Sequence, residues 1–179
     1  GMGADLYESY CGSILAATAL GASIALSGGD ISIKSITAPM IVAGIGIICS
    51  LIGIFFVRTK EGASQKQLLH SLLFGTALSS VLILLAVAWL ASTGLISWGI
   101  FGSITAGLIA GFIIGQATEY YTSDTYSPTQ KISESCKEGP ATDILAGIAT
   151  GMISTAIPVV TIVIAIMLSF VFTGGFENV

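Results

Sequence analysis

From Leu68 to Ala117 the chain carries no Asp, Glu, Lys or Arg, and no other feature constrains its fold so tightly. A soluble helix of that length keeps a polar face for water. A run more than twice the ~20 residues a spanning helix needs has no such face, and its natural solvent is lipid. Inside a bilayer the backbone must satisfy its own hydrogen bonds, which leaves helices or closed barrels. The runs here are helical in length, not ten-residue alternating segments. The composition agrees: 54% apolar and 9% charged residues, with a mean hydropathy of +0.94. A soluble domain carries about 25% charged residues. The fold class predicted is all-α, a polytopic transmembrane helical bundle.

Five stretches are long enough to span: 4–27, 36–57, 68–93, 95–117 and 142–173. The last is over-long and holds Pro158, where a kink is expected. A short polar turn separates the first two stretches, and Gly94 marks a tight turn between the third and fourth. The polar stretches 58–67 and 118–140 are predicted cytoplasmic loops. With five spans these two share a side, and they hold Arg58, Lys60, Lys66, Lys131 and Lys137, against Lys34 opposite. Cytoplasmic loops collect Lys and Arg, so the first helix starts in the cytoplasm. Trp89 and Trp98 then fall at an outer aromatic belt, and Tyr120, Tyr121 and Tyr126 at an inner one. The balance of six basic against ten acidic residues, with no Lys/Arg cluster, excludes a nucleic-acid binder.

Gly107, Gly111 and Gly115 repeat every four residues, as do Gly147 and Gly151. Such stripes let helix backbones touch, so they are expected at packing contacts. Cys11, Cys49 and Cys136 form no metal-ligand spacing and read as small buried hydrophobes. His70, the sole histidine, is expected to make an interfacial hydrogen bond. Asp143 opens the last helix, where a carboxylate complements the helix dipole. Glu119, Asp124, Glu134 and Glu138 lie in the polar loop and are expected to be solvated. The opening, Gly1-Met2-Gly3-Ala4, has no charged signal region and reads as a chain cut just before a helix, a piece of a larger protein.

The chemically informative residues are Asp5, Glu8 and Ser9. Asp5 and Glu8 are three apart and share a helical face, with Ser9 one turn beyond Asp5. From Tyr10 to Leu26 no charge follows. The pair therefore lies at the inner end of a spanning helix or just below it. Hydrated there, the acids would complement the positive helix end. Within the membrane, ionisable groups are costly and line ion paths. Two close carboxylates repel, and a proton or a cation relieves the repulsion. The spacing does not choose between H⁺ and Na⁺.

The segment Gly1-Met2-Gly3-Ala4-Asp5-Leu6-Tyr7-Glu8-Ser9-Tyr10 resembles the sixth transmembrane helix of the membrane-bound, ion-translocating inorganic pyrophosphatases. In that family an acidic DNVGD-type motif comes immediately before it. Thr118-Glu119-Tyr120-Tyr121-Thr122-Ser123, Tyr126-Ser127-Pro128 and Ser135-Cys136-Lys137-Glu138-Gly139-Pro140-Ala141-Thr142 are similar to the family's loop between helices nine and ten. The resemblance implies a fragment, helices six to ten, of a homodimeric pump of about sixteen helices. The implied orientation of the first helix agrees with the distribution of Lys and Arg.

The implied activity is hydrolysis of inorganic pyrophosphate, with Mg²⁺ as required cofactor and K⁺ and Na⁺ as further ions, driving Na⁺ or H⁺ out of the cytoplasm. Asp5 matches the family's gate aspartate and Glu8 its gate glutamate; Ser9 offers Na⁺ another oxygen. Plant-type proton pumps carry the glutamate one turn later, where this chain has Gly12; the earlier placement occurs in the Na⁺ pumps and also in some proton pumps, so the resemblance leans to Na⁺ ahead of H⁺. Asp5 and Glu8 would contact the transported Na⁺. The family's catalytic acids and lysines lie on helices five, six, eleven, twelve, fifteen and sixteen; of these the chain holds only helix six, cut just after the DNVGD motif, so no catalytic residue is expected in this stretch. The implied partners are pyrophosphate, the lipid bilayer, the missing helices of the same protein and a second copy. The implied location is a prokaryotic inner or plasma membrane, as a multi-pass protein. The competing reading is a non-enzymatic cation transporter or channel subunit with Asp5 and Glu8 as its cation site; a third is a scaffold subunit without transport.

Overall fold

The computed structural model describes residues 1–27, 33–57 and 65–173. Among them every regular element is helical and no strand occurs. The helices are α1 (Met2–Ser27), α2 (Ile33–Phe56), α3 (Gln65–Ser92), α4 (Trp98–Thr122), α5 (Ser127–Ser135), α6 (Pro140–Ser154) and α7 (Ala156–Phe172), with a 3-10 turn at Cys136–Glu138. Ile36–Phe56, Gln67–Ser92, Trp98–Glu138 and Pro140–Phe172 are long and apolar enough to cross a bilayer. At 26 residues, α1 is also long enough, reaching about 39 Å at 1.5 Å per residue. The large side chains face outward, with Phe55 78% and Met152 72% exposed. Such a surface would aggregate in water and is ordinary against lipid or further helices. Arg58 and Lys60 lie outside the described residues.

The chain forms two compact units, Gly1–Ser97 and Trp98–Val179. In the first, α2 packs against both α1 and α3. Lipid is as apolar as Leu, so close packing and directional bonds must hold such helices together. Two glycines bring α2 and α3 to near backbone contact. A Cβ on Gly53 would strike Ser79 Oγ and stand 3.2 Å from the Gly75 carbonyl, and one on Gly75 would strike Val57. Ser79 Oγ donates to the Gly75 carbonyl at 2.9 Å, so the hydroxyl is satisfied inside the contact.

The end of α3 is a glycine-capped stop. Gly94 has φ 75°; its N–H donates to Ala91 O at 3.1 Å, and Leu95 N–H to Leu90 O at 3.3 Å. This pair of bonds with a left-handed glycine is the Schellman arrangement. Leu90 and Ile96 beside it are buried.

In the second unit α4 and α7 pack along their lengths. Ala106, Ala110 and Ala117 line the buried face of α4. At its start Gly99 and Gly102 lie under Phe172: a Cβ on Gly99 would meet the Phe172 carbonyl, and one on Gly102 would come within 2.9 Å of the ring. Ser103 Oγ donates to Gly99 O at 3.1 Å and is 3.4 Å from Ser169 O.

Several expectations are corrected. The helix expected over 95–117 starts at Trp98 and runs on to Thr122. The stretch 118–140, expected as a cytoplasmic loop in which a helix could begin early at 133–139, contains the end of α4, all of α5 and the 3-10 turn. Pro128 in the first turn of α5 needs no N–H there. The single helix over 142–173 is two, broken at Thr155. Pro158 lacks an N–H for Ser154 O and its ring crowds that carbonyl, so the break falls a turn before the proline. Ser154 Oγ and Thr155 Oγ1 back-bond to Gly151 O and Met152 O at 2.7 and 2.8 Å.

Among the described residues the glycine stripes are not packed: none lies within 4 Å of a Cβ placed on Gly107, Gly111, Gly115, Gly147 or Gly151. Close approach falls instead to Gly53, Gly75, Gly99 and Gly102. Gly99→Ala should therefore separate α4 from α7 and destabilise the second unit by about 1–3 kcal/mol, whereas Gly111→Ala should be neutral in this chain. Denaturant titration of both variants in detergent micelles measures the difference.

Candidate functional site

The candidate residues occupy the first turns of α1, with Asp5 in the opening turn. That position complements the positive helix end. Asp5, Glu8 and Ser9 are all exposed. Ser9 Oγ donates to Asp5 O at 3.0 Å, and Ser13 Oγ donates to Ser9 O at 2.8 Å. The Ser9 proton is thus held by backbone, and its lone pairs stay free for a cation.

The rotation of α1 decides where the acids point. Among the described residues its half-buried positions are Cys11, Ile14, Thr18, Gly21 and Ala22, and α2 is the helix it packs against. At 100° per residue, Asp5 and Ser9 fall on the side of α1 away from α2, and Glu8 falls on one flank of the contact face. Gly12 shares the far side, with open space at its Cβ. The structure thus brings the three candidates to one end of one helix, on a surface that no described helix covers.

Tyr10 was not singled out by sequence reasoning, yet it makes the long-range bond of this region. Its hydroxyl donates to Ala43 O of α2 at 2.9 Å. The signal available was a phenol inside an apolar helix, where its O–H must find an acceptor.

Among the described residues no three His, Cys, Asp or Glu come together as a metal site. Two carboxylates on one helical turn supply part of an oxygen shell for Na⁺. They do not make the multi-carboxylate site that Mg²⁺ and pyrophosphate require.

A second polar cluster joins α4 to α6. Ser123, buried, closes the end of α4: its N–H donates to Glu119 O at 2.9 Å, and its hydroxyl lies 2.9 Å from Thr125 Oγ1. Thr129 Oγ1 and Gln130 Nε2 tie α5 back to Tyr121 O and Asp124 O at 3.3 and 3.2 Å. The rings of Tyr120 and Tyr121 stand edge-on at 5.1 Å, with Tyr126 5.3 Å from Tyr120. Cys136 is exposed, unlike buried Cys49, which corrects its expectation as a buried hydrophobe. Its Sγ is 3.6 Å from Ile132 O. Asp143 sits in the first turn of α6 as expected, and its Oδ1 is buried without a hydrogen-bond partner among the described residues. By accepting the thiol proton, the Asp143 carboxylate pushes the Cys136 thiol above its usual value; lost hydration and the carboxylate's charge push the same way.

Helices this long and apolar define a polytopic membrane protein. The chain belongs to the family described as inorganic H⁺ pyrophosphatase, whose profile matches residues 1–177. A protein of Bacteroides thetaiotaomicron named for a K(+)-stimulated pyrophosphate-energized sodium pump is 54% identical over 99% of this chain. A protein of Clostridium tetani named for the same activity is 39% identical over 99%. A K(+)-insensitive pyrophosphate-energized proton pump of Moorella thermoacetica is 35% identical over 93%. The chain spans about a quarter of each relative's length, 25%, 25% and 24% in that order.

A raised thiol pKa means less thiolate at a given pH. Asp143→Asn should therefore lower the Cys136 pKa, speed alkylation at pH 8 and move the labelling midpoint to lower pH. Iodoacetamide labelling across pH, read by mass spectrometry at Cys136, checks this.

Proposed function

We propose that this chain is the gate-bearing part of a pump in which hydrolysis of inorganic pyrophosphate drives Na⁺ or H⁺ out of the cytoplasm. The observation that carries the reading is similarity over 99% of the chain to relatives named as pyrophosphate-energized sodium pumps. The exposed acid side of α1 supports it, because a gate must meet helices that lie elsewhere in the pump. In this reading α1 is a fifth span that starts in the cytoplasm. The remaining helices form the surrounding scaffold, and their uncharged interiors suit that role.

Asp5 and Glu8 bind the passing cation. A desolvated carboxylate pair attracts Na⁺ because the ion removes their mutual repulsion while the protein replaces its hydration. Ser9 adds a neutral oxygen. The names of the first two relatives, with Glu8 rather than Gly12 carrying the acid, favour Na⁺ over H⁺ and K⁺ as an activator. Mg²⁺, the pyrophosphate ligands and the water-activating carboxylates come from the rest of the protein. The full pump acts as a homodimer in a prokaryotic plasma membrane.

Two experiments test this. Purified chain given Mg²⁺ and pyrophosphate should release no phosphate; steady turnover would show that the reacting groups are on this stretch after all. In the full-length parent reconstituted in vesicles, pyrophosphate should drive ²²Na⁺ uptake, and Glu8→Ala should cut it roughly tenfold or more, the cost of losing an intramembrane ligand. Undiminished uptake would remove Glu8 from the gate.

A further inference from the structure

We infer that Tyr10 is a positioning residue for the cation gate: its hydrogen bond to the Ala43 carbonyl sets the rotation of α1 and thereby the place of Glu8. The inference rests on the proposed gate role of Asp5 and Glu8, and it adds a residue from outside that acid group.

Among the residues of α1 whose burial is described, the contact face is made of Cys11, Ile14, Thr18, Gly21 and Ala22. All are small or short except Ile14. Such a face has few knobs to lock into α2, and packing between small residues in lipid resists rolling weakly. Sequence hydrophobicity does not fix the rotation either, since from Tyr10 to Leu26 every face of α1 is uncharged. A directional bond is then the strongest term opposing a roll. Tyr10 Oη supplies it, donating to Ala43 O at 2.9 Å. A tyrosine ring has only two side-chain torsions, so the tether is short and stiff.

At 100° per residue, Tyr10 and Glu8 fall on opposite flanks of the contact face. Releasing the Tyr10 flank lets α1 roll toward the Glu8 flank, which presses that carboxylate against α2. Asp5 and Ser9, on the far side, stay away from α2 under the same roll. Tyr10 therefore tunes the cation site through Glu8, without touching the cation. Its O–H and ring are not asked to do chemistry on pyrophosphate, so hydrolysis at saturating cation should survive its loss.

The test is Tyr10→Phe in the full-length parent, which removes one oxygen and keeps the ring. The Na⁺ concentration giving half-maximal pyrophosphate hydrolysis should rise roughly threefold to tenfold, the range for one hydrogen bond between helices in a membrane. The rate at saturating Na⁺ should stay within about twofold, because no hydrolytic contact is lost. A merely structural tyrosine would lower the maximal rate or the yield and leave half-saturation in place. A second readout uses native Cys11, half-buried on the contact face. With Cys49 and Cys136 replaced by Ala, a roll of α1 toward the Glu8 flank carries Cys11 deeper into the contact and should slow its maleimide labelling in Tyr10→Phe. Unchanged half-saturation and unchanged labelling overturn the inference. If Glu8→Ala shifts half-saturation and Tyr10→Phe does not, the positioning role fails and the gate stands. If neither variant shifts it, both fall.

Discussion

Every feature of this molecule follows from the price of an unpaired peptide group in hydrocarbon. In water a helix end or a loop can be finished by solvent; in lipid each N–H and C=O must be answered by the protein. The hydroxyls show this at the places where the backbone is interrupted. Ser154 and Thr155 fold their side chains back onto Gly151 and Met152 at the break before Pro158. Gly94 closes α3 with two main-chain bonds where the chain must reverse. The same rule explains why the helices meet through glycine. Where lipid competes equally for apolar surface, attraction needs atoms brought closer than side chains allow. Gly53 with Gly75, and Gly99 with Phe172, are the points where backbones come that close.

The fold class was legible because charge exclusion is a one-dimensional signal: Leu68 to Ala117 cannot be hydrated on any face. The details decided by three-dimensional contact were not legible. A glycine stripe at spacing four marks a face that is able to pack, and the stripe at Gly107, Gly111 and Gly115 stays open while the neighbouring Ala106 and Ala110 are buried. The choice between two adjacent faces of α4 depends on where α7 lies, and no local pattern states that. The polar stretch 118–140 between spans turns out largely helical, more than the early helix start expected at 133–139. Polar helices such as α5 are made by capping and packing at an interface, with Pro128 in the first turn as the visible clue.

The candidate site shows the same division. That Asp5 and Glu8 share one end of one helix is a matter of spacing and could be read directly. That Asp5 faces away from α2 while Glu8 lies at the flank depends on which residues of α1 touch α2, and Cys11, Thr18 and Gly21 do not announce themselves as a contact face. Tyr10 escaped notice for a related reason: a tyrosine near a membrane surface has an ordinary interfacial explanation, and its acceptor lies 33 residues away.

In the proposed gate, ion choice turns on hydration: Asp5 and Glu8 repel one another, and either a cation or a proton relieves the repulsion. Moving a carboxylate one turn onward, from Glu8 to the position of Gly12, would take it farther from α2 and into the uncharged run of α1, a drier setting. Desolvation there penalises the charged form, and a proton becomes the cheaper way to neutralise the group. Ion choice in such a helix is therefore a question of depth and rotation as much as of ligand chemistry. On the inference drawn for Tyr10, the hydrogen bond to Ala43 O is where that rotation is set.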